Sequence, residues 1–227
     1  ARFQLGLANP APYNLYDMAA DTVGLMSALK IDKAHIIGAS MGGLLGLLTE
    51  GESPVSLYSA LVLVDVTPRW ESAGVDRILS FMAMHPEGFD SLQAAADAIA
   101  DYLPHRDRKN PERLRTQLRL SPDGRWRWHW DPRLLGPVAS QSAGYIPRLQ
   151  RAAAQVQIPV LLLSGERSDV VSEHTIREFL QLVPHAEHIA IERATHMVVG
   201  DRNDAFTREI QRFLDRVCAP MQTQKPV

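Results

Sequence analysis

Ala34-His35-Ile36-Ile37-Gly38-Ala39-Ser40-Met41-Gly42-Gly43-Leu44-Leu45-Gly46-Leu47-Leu48 is the stretch on which the reading of this chain turns. His35-Ile36-Ile37 is a short apolar run of strand type, and Leu44, Leu45, Leu47 and Leu48 form the inner face of a buried helix. Between them Gly38-Ala39-Ser40-Met41-Gly42 fits G-x-S-x-G, a sharp strand-to-helix turn with a serine at its apex. Such a turn forces the serine into strained backbone geometry, and bulky residues two positions to either side would clash. Glycine at 38 and 42 is expected to remove the clash. Ser40 Oγ would then stand at the carboxyl end of a strand and the N-terminus of a helix. There the Met41 N–H and the helix dipole can stabilise an oxyanion. The plainer alternative is an ordinary strand–helix turn in which Ser40 is only an N-cap.

Working outward, strands and helices alternate on both sides. Residues 1–13 are loop-like around Asn9-Pro10-Ala11-Pro12, with residues 3–7 the one candidate for a strand ahead of the elbow. A helix follows, capped by Asn14, with Met18, Thr22, Leu25 and Leu29 on one face. Gly51 and Pro54 stop the elbow helix. Residues 60–65 (ALVLVD) and 158–164 (IPVLLLS) are continuous apolar runs, the kind buried on both faces of a parallel sheet, and residues 187–191 form a weaker one. Ser172 caps a helix with Ile176, Phe179, Leu180 and Val183 inward, and the last helix carries Phe206, Ile210, Phe213, Leu214 and Val217. This rhythm predicts an α/β fold with a mostly parallel sheet flanked by helices. Residues 71–150 break it with helical faces and no strand pattern, which reads as a helical lid inserted in a core of residues 1–70 and 151–219. Residues 220–227 read as a frayed tail.

Composition narrows the function classes. The 227 residues are 45% hydrophobic and 22% charged, ordinary for a globular chain of one or two domains. A formal net charge of −2 argues against nucleic acid or an anionic membrane as the main partner. No run approaches the roughly 18 apolar residues of a membrane span, and no basic-then-apolar signal stands at the start. Cys218 is the only cysteine, which excludes an intrachain disulfide and a cysteine-only metal site and fits a cytoplasmic setting.

A serine at such an elbow needs a base and an acid that orients the base. Of eight histidines, His196 follows the residue 187–191 strand and precedes the last helix, at the carboxyl end where parallel sheets place their sites. The acid is expected just beyond another strand. Asp169, in Ser164-Gly165-Glu166-Arg167-Ser168-Asp169, ranks ahead of Asp65, with Glu166 third. Each aspartate could instead be a simple turn former.

The order Ser, Asp, His on successive loops resembles the α/β-hydrolase superfamily. The elbow GASMGG, the strand LVLVDVTP, the SGERSD turn and the segment THMVVGDRNDAF are similar to serine-type members, namely esterases, lactonases and the cofactor-free peroxidase-like group. The resemblance covers most of residues 14–217. It implies Ser40 as nucleophile, Asp169 as acid, His196 as base and the Met41 amide as one oxyanion donor, with no metal or organic cofactor. Epoxide hydrolases and haloalkane dehalogenases of this fold use aspartate at the elbow, and Ser40 argues against both. The superfamily normally places about four strands and a His-Gly-type loop, source of the second oxyanion donor, ahead of the elbow strand. Here 33 residues precede Ala34 and no His-Gly dipeptide occurs among them. The chain thus reads as truncated or as an unusual minimal form. One missing donor would cost ~3 kcal/mol in the transition state. The elbow strand would also become a sheet edge, expected to be covered by the N-terminal segment or by a partner chain in a homo-oligomer.

Two further features are weighed and set aside. Arg125-Trp126-Arg127-Trp128-His129-Trp130 lies in a stretch, residues 105–133, with nine Lys/Arg against four Asp/Glu. A stacking platform for single-stranded nucleic acid would look like this. The slightly acidic whole favours a lid segment instead, with Trp126, Trp128 and Trp130 packed in it or lining an apolar substrate gorge. His185 and His188 could ligate a metal, but at the start of a strand they would not share a face. The expectation is a serine hydrolase of carboxylic esters or related acyl compounds acting on a small-molecule ester. The alternatives are a non-catalytic member of the fold that binds a small ligand or a partner, and a perhydrolase that uses the same three residues.

Overall fold

The computed structural model describes residues 13–104 and 110–218. The expected strand at residues 3–7 and the expected tail at 220–227 lie outside the described residues. The chain divides into two compact units: Leu15–Val75 with Ala143–Val227, and Ala1–Asn14 with Asp76–Ser142.

The first of these units carries a four-stranded parallel sheet. In chain order its elements are α1 (Leu15–Ala28), β1 (Ala34–Ala39), α2 (Met41–Glu52), β2 (Tyr58–Val64) and the first turn of α3 (Ser72–Ala83). The second unit's α4 (Leu92–Tyr102), β3 (Leu118–Leu120) and β4 (Trp126–Trp128) intervene, and α5 (Leu135–Gln155) follows. Then come β5 (Val160–Gly165), α6 (Glu173–Leu182), β6 (Glu187–Ile191), α7 (Val198–Asp201) and α8 (Asn203–Cys218). The sheet order is β1-β2-β5-β6, every pair parallel.

The apolar runs are continuous because both faces of the sheet are covered. Leu61, Leu63 and Leu162 face one way, onto Leu44, Leu47 and Leu48 of α2, Leu149 and Ala152 of α5, and Phe179 of α6. Ala60, Val62, Val64, Leu161 and Leu163 face the other way, onto Ile210 and Phe213 of α8. Strand side chains alternate with period two, so one run feeds both cores. Each fully buried leucine contributes roughly 1.5–3 kcal/mol.

Three sequence expectations need correcting. The α1 face of Met18, Thr22, Leu25 and Leu29 is not the buried one: Leu15 and Ala19 are buried, whereas Leu25 and Leu29 are 60% and 61% exposed. Small Ala19 and neighbouring Leu15 seat α1 against the core, which turns the larger leucines outward among the described residues. The all-helical reading of residues 71–150 fails at β3 and β4, which form an antiparallel pair with Arg119 opposite Arg127. These strands are three residues long, too short for a periodic signal, and the turn between them contains Gly124 at φ +81°. Third, Gly42 is not one of the tight elbow glycines, as described below.

The second unit has its own core of Phe89, Leu92, Ala95, Leu114 and Leu118, against which Trp126 and Trp128 pack. Trp128 meets Phe89 edge-on at 5.6 Å, and the Arg115 guanidinium lies 5.0 Å from the Trp126 ring centroid. Trp130 is half-buried. The arginines of this stretch are held by acids: Arg127 by Asp123 and Arg125 by Asp90. Among the described residues no helix is long and apolar enough to cross a membrane.

Candidate active site

Ser40 sits between β1 and α2 with φ +49° and ψ −124°, a conformation that non-glycine residues rarely adopt. It is fixed there by backbone: Ser40 N–H donates to Val64 O at 2.9 Å and Gly43 N–H donates to Ser40 O at 2.9 Å. Gly38 makes the turn possible, since a Cβ there would lie 2.3 Å from Gly43 N and 2.4 Å from the Gly42 carbonyl. The second tight position is Gly43, whose Cβ would fall 2.8 Å from Gly38 O and 2.7 Å from the Val66 side chain. At Gly42 a Cβ would meet nothing within 4 Å among the described residues, so the expectation that Gly42 relieves a clash is corrected. The helix leans back on the strand one residue later than the motif suggests. Met41 and Gly42 open α2, where N–H groups have no acceptor within the helix.

Asp65 follows β2 directly, also at φ +49°, and is fully buried. Its carboxylate takes His196 Nδ1 on Oδ2 at 2.8 Å. It takes Gly165 N–H on Oδ1 at 2.7 Å and Ser168 Oγ–H on Oδ2 at 2.5 Å. His196, 9% exposed, lies in the loop after β6. A carboxylate is acceptor-only, so Nδ1 carries the proton toward it, and Nε2 of the neutral ring is left as an acceptor. Ser40, Asp65 and the loop of His196 thus follow the carboxyl ends of β1, β2 and β6.

The acid expected at 169 is not the one that meets His196. The structure joins His196 to Asp65, the residue that ranked second. Two donors of the turn after β5, Gly165 N–H and Ser168 Oγ–H, converge with His196 Nδ1 on the Asp65 carboxylate. Asp169 then faces the start of α3, its carbonyl oxygen 2.1 Å from where a Gly74 Cβ would be. Glu166 has a different task, accepting from Arg193 N–H at 2.7 Å.

The loop that carries His196 is braced on both sides. Asp201 Oδ2 accepts from Thr195 N–H at 2.8 Å and Thr195 Oγ1–H at 2.6 Å. A Cβ on Gly165 would lie 2.4 Å from Thr195 O. Of the other histidines, His185 Nε2 meets Ile158 O and His188 Nε2 meets Ser164 Oγ, and burial pushes the His188 imidazole below its ordinary value. No group of three or more potential metal ligands occurs among the described residues.

The sequence model of the Alpha/beta hydrolase family matches residues 2–209. The chain belongs to that family. It is 28% identical over 201 residues to Esterase YbfF of Escherichia coli, covering 87% of this chain and 74% of that one. It is 26% identical over 200 residues to the 3-hydroxybutyrate-oligomer hydrolase of Cupriavidus necator, covering 84% and 68%. In fold it resembles the crystal structure of E-2-(acetamidomethylene)succinate hydrolase, with TM-score 0.77, 22% identity, and coverage of 92% and 76%. Within this α/β-hydrolase frame the sequence reading missed Gly165, Ser168 and Asp201. The only signal for them was their place in short turns after apolar runs, and turn residues are usually read as turn formers.

Proposed function

We propose that this α/β-hydrolase cleaves carboxylic esters or related acyl compounds through Ser40, His196 and Asp65. The observation that carries the reading is the 2.8 Å contact of His196 Nδ1 with buried Asp65, on the edge that also carries strained Ser40. Ser40 Oγ forms a bond to the acyl carbon as its proton passes to His196 Nε2. The oxyanion that develops faces the Met41 N–H at the helix start. Collapse breaks the C–O bond, and the leaving alcohol takes the proton from His196. Water, deprotonated by the same nitrogen, then releases the acid and restores Ser40. Asp65 holds the tautomer and supports the imidazolium at each stage. The names of the relatives, an esterase and a 3-hydroxybutyrate-oligomer hydrolase, favour a carboxylic ester substrate.

Fluorophosphonate labelling of the 227-residue chain, read by intact mass, tests this. One adduct is expected on the wild type and none on Ser40→Ala. A folded wild type that takes no adduct would shift the reading to a non-catalytic binding member of the family.

A further inference from the structure

The turn after β5 contains a donor built for one acceptor. Ser168 Oγ accepts from Val170 N–H at 3.1 Å and from Val171 N–H at 3.0 Å. A hydroxyl has two lone pairs and one proton. With both lone pairs engaged by amides, the proton is directed to Asp65 Oδ2, 2.5 Å away. That oxygen is the one that receives His196 Nδ1. Gly165 N–H, from the same turn, occupies Oδ1 at 2.7 Å.

The turn is anchored independently of the carboxylate. Arg167 N–H donates to Ala194 O at 2.8 Å and Glu166 N–H to Ile191 O at 3.1 Å, which tie it to the loop of His196. Ser172 Oγ–H donates to Glu71 Oε1 at 2.5 Å and Glu71 N–H to Val170 O at 2.9 Å, which tie its far end to the segment after Asp65. Ser168 is therefore a fixed point against which the carboxylate is set.

We propose that Ser168 is a positioning residue for the Asp65–His196 pair. Its hydroxyl fixes the plane of the carboxylate and draws electron density from Oδ2. This keeps the shared proton on His196 Nδ1 and leaves Nε2 aimed outward as the base. The kinetic part of this inference rests on the serine-hydrolase reading, whereas the geometric part stands on the pair alone.

The test uses the full chain, four single variants and one double variant. Proton NMR follows the low-field Nδ1–H resonance of His196, assigned by its loss in Asp65→Asn. Ser168→Ala is expected to move that resonance, Ser168→Thr to restore it, and Ser172→Ala, which weakens the same loop without touching Asp65, to leave it in place. On a short-chain p-nitrophenyl ester, Ser168→Ala should lower kcat about tenfold, the scale of one charged hydrogen bond, with KM little changed. In the Asp65→Asn background it should cost nothing further. A folded Ser168→Ala with an unmoved resonance overturns the proposal. So does an equal loss of kcat with and without Asp65, or a wild type that shows no such resonance. A wild type that is not labelled and cleaves no ester, yet whose resonance moves in Ser168→Ala, keeps the positioning role and rejects the hydrolase reading.

Discussion

Ser40, Asp65 and Arg193 hold φ angles of +49°, +49° and +62°, and all three end strands or loops on one edge of the sheet. Such conformations cost about 1–3 kcal/mol each and persist where the surroundings over-determine them. Here they fall at Ser40, at Asp65 and in the loop that leads to His196, the three residues of the proposed site. Asp65→Asn should therefore lower kcat by about 10³–10⁴-fold, because an amide no longer enforces the tautomer. Asp169→Asn should stay close to the wild type in the same ester assay, and the reverse ranking would restore the acid expected from sequence. The glycines divide in the same way. Gly38→Ala drives a Cβ into backbone atoms 2.3 Å away and should cost several kcal/mol in urea unfolding. Gly42→Ala has open space and a helical position, and should leave stability unchanged or raise it by about 0.5–1 kcal/mol. Equal losses in the two variants would mean that the elbow does not pivot at 38 and 43. The G-x-S-x-G pattern showed the elbow, but which of its glycines carries it depended on how α2 leans on β1.

At the scale of elements, the junction of α2 and β2 is held by buried polar groups. Glu50 Oε2 accepts from Leu57 N–H and Tyr58 N–H, each at 2.9 Å, and Oε1 accepts from Ser56 Oγ–H at 2.8 Å. Thr49 Oγ1 meets Tyr58 OH at 2.8 Å. This clamp sets the start of β2, and hence the register that brings Val64 beside Ala39 and Asp65 beside the elbow. Glu50→Ala strands two backbone donors. It should cost roughly 1–3 kcal/mol for each buried donor left unpaired, read by chemical denaturation with activity as a second measure. A loss of only a few tenths would show that water replaces the carboxylate. Periodicity located β2 and α2, yet gave no hint that a glutamate one turn before a loop closes that loop, since a single acid on a helix is usually solvated.

Across the whole parallel sheet, one titratable group sits between β5 and β6. Burial holds the His188 imidazole below its ordinary value, beside Ser164 Oγ at 2.9 Å. The unfolded chain takes up this proton at about 6.5, and the folded chain does so at lower pH. Between those values the unfolded state binds more protons, so stability falls as pH is lowered through that window and is unaffected above it. The thermal midpoint of the wild type should drop against that of His188→Gln as pH falls from about 7 to about 5. Parallel curves would show that the ring is protonated in place. At the same scale β1 is the outermost strand among the described residues, with Ile37 46% exposed.

The sequence by itself determined the α/β rhythm, the four apolar runs that became β1, β2, β5 and β6, the elbow with Ser40, and the place of His196 in the loop after β6. These signals are local: a run of apolar residues, a glycine spacing, a histidine between a strand and a helix. Which carboxylate meets His196 was decided only by the tertiary structure. Asp65 and Asp169 both follow apolar strands and look alike along the chain. Gly165 N–H, Ser168 Oγ–H and His196 Nδ1 converge on Asp65. Those donors come from residues 100 and more positions away in sequence, and no local pattern encodes such a convergence.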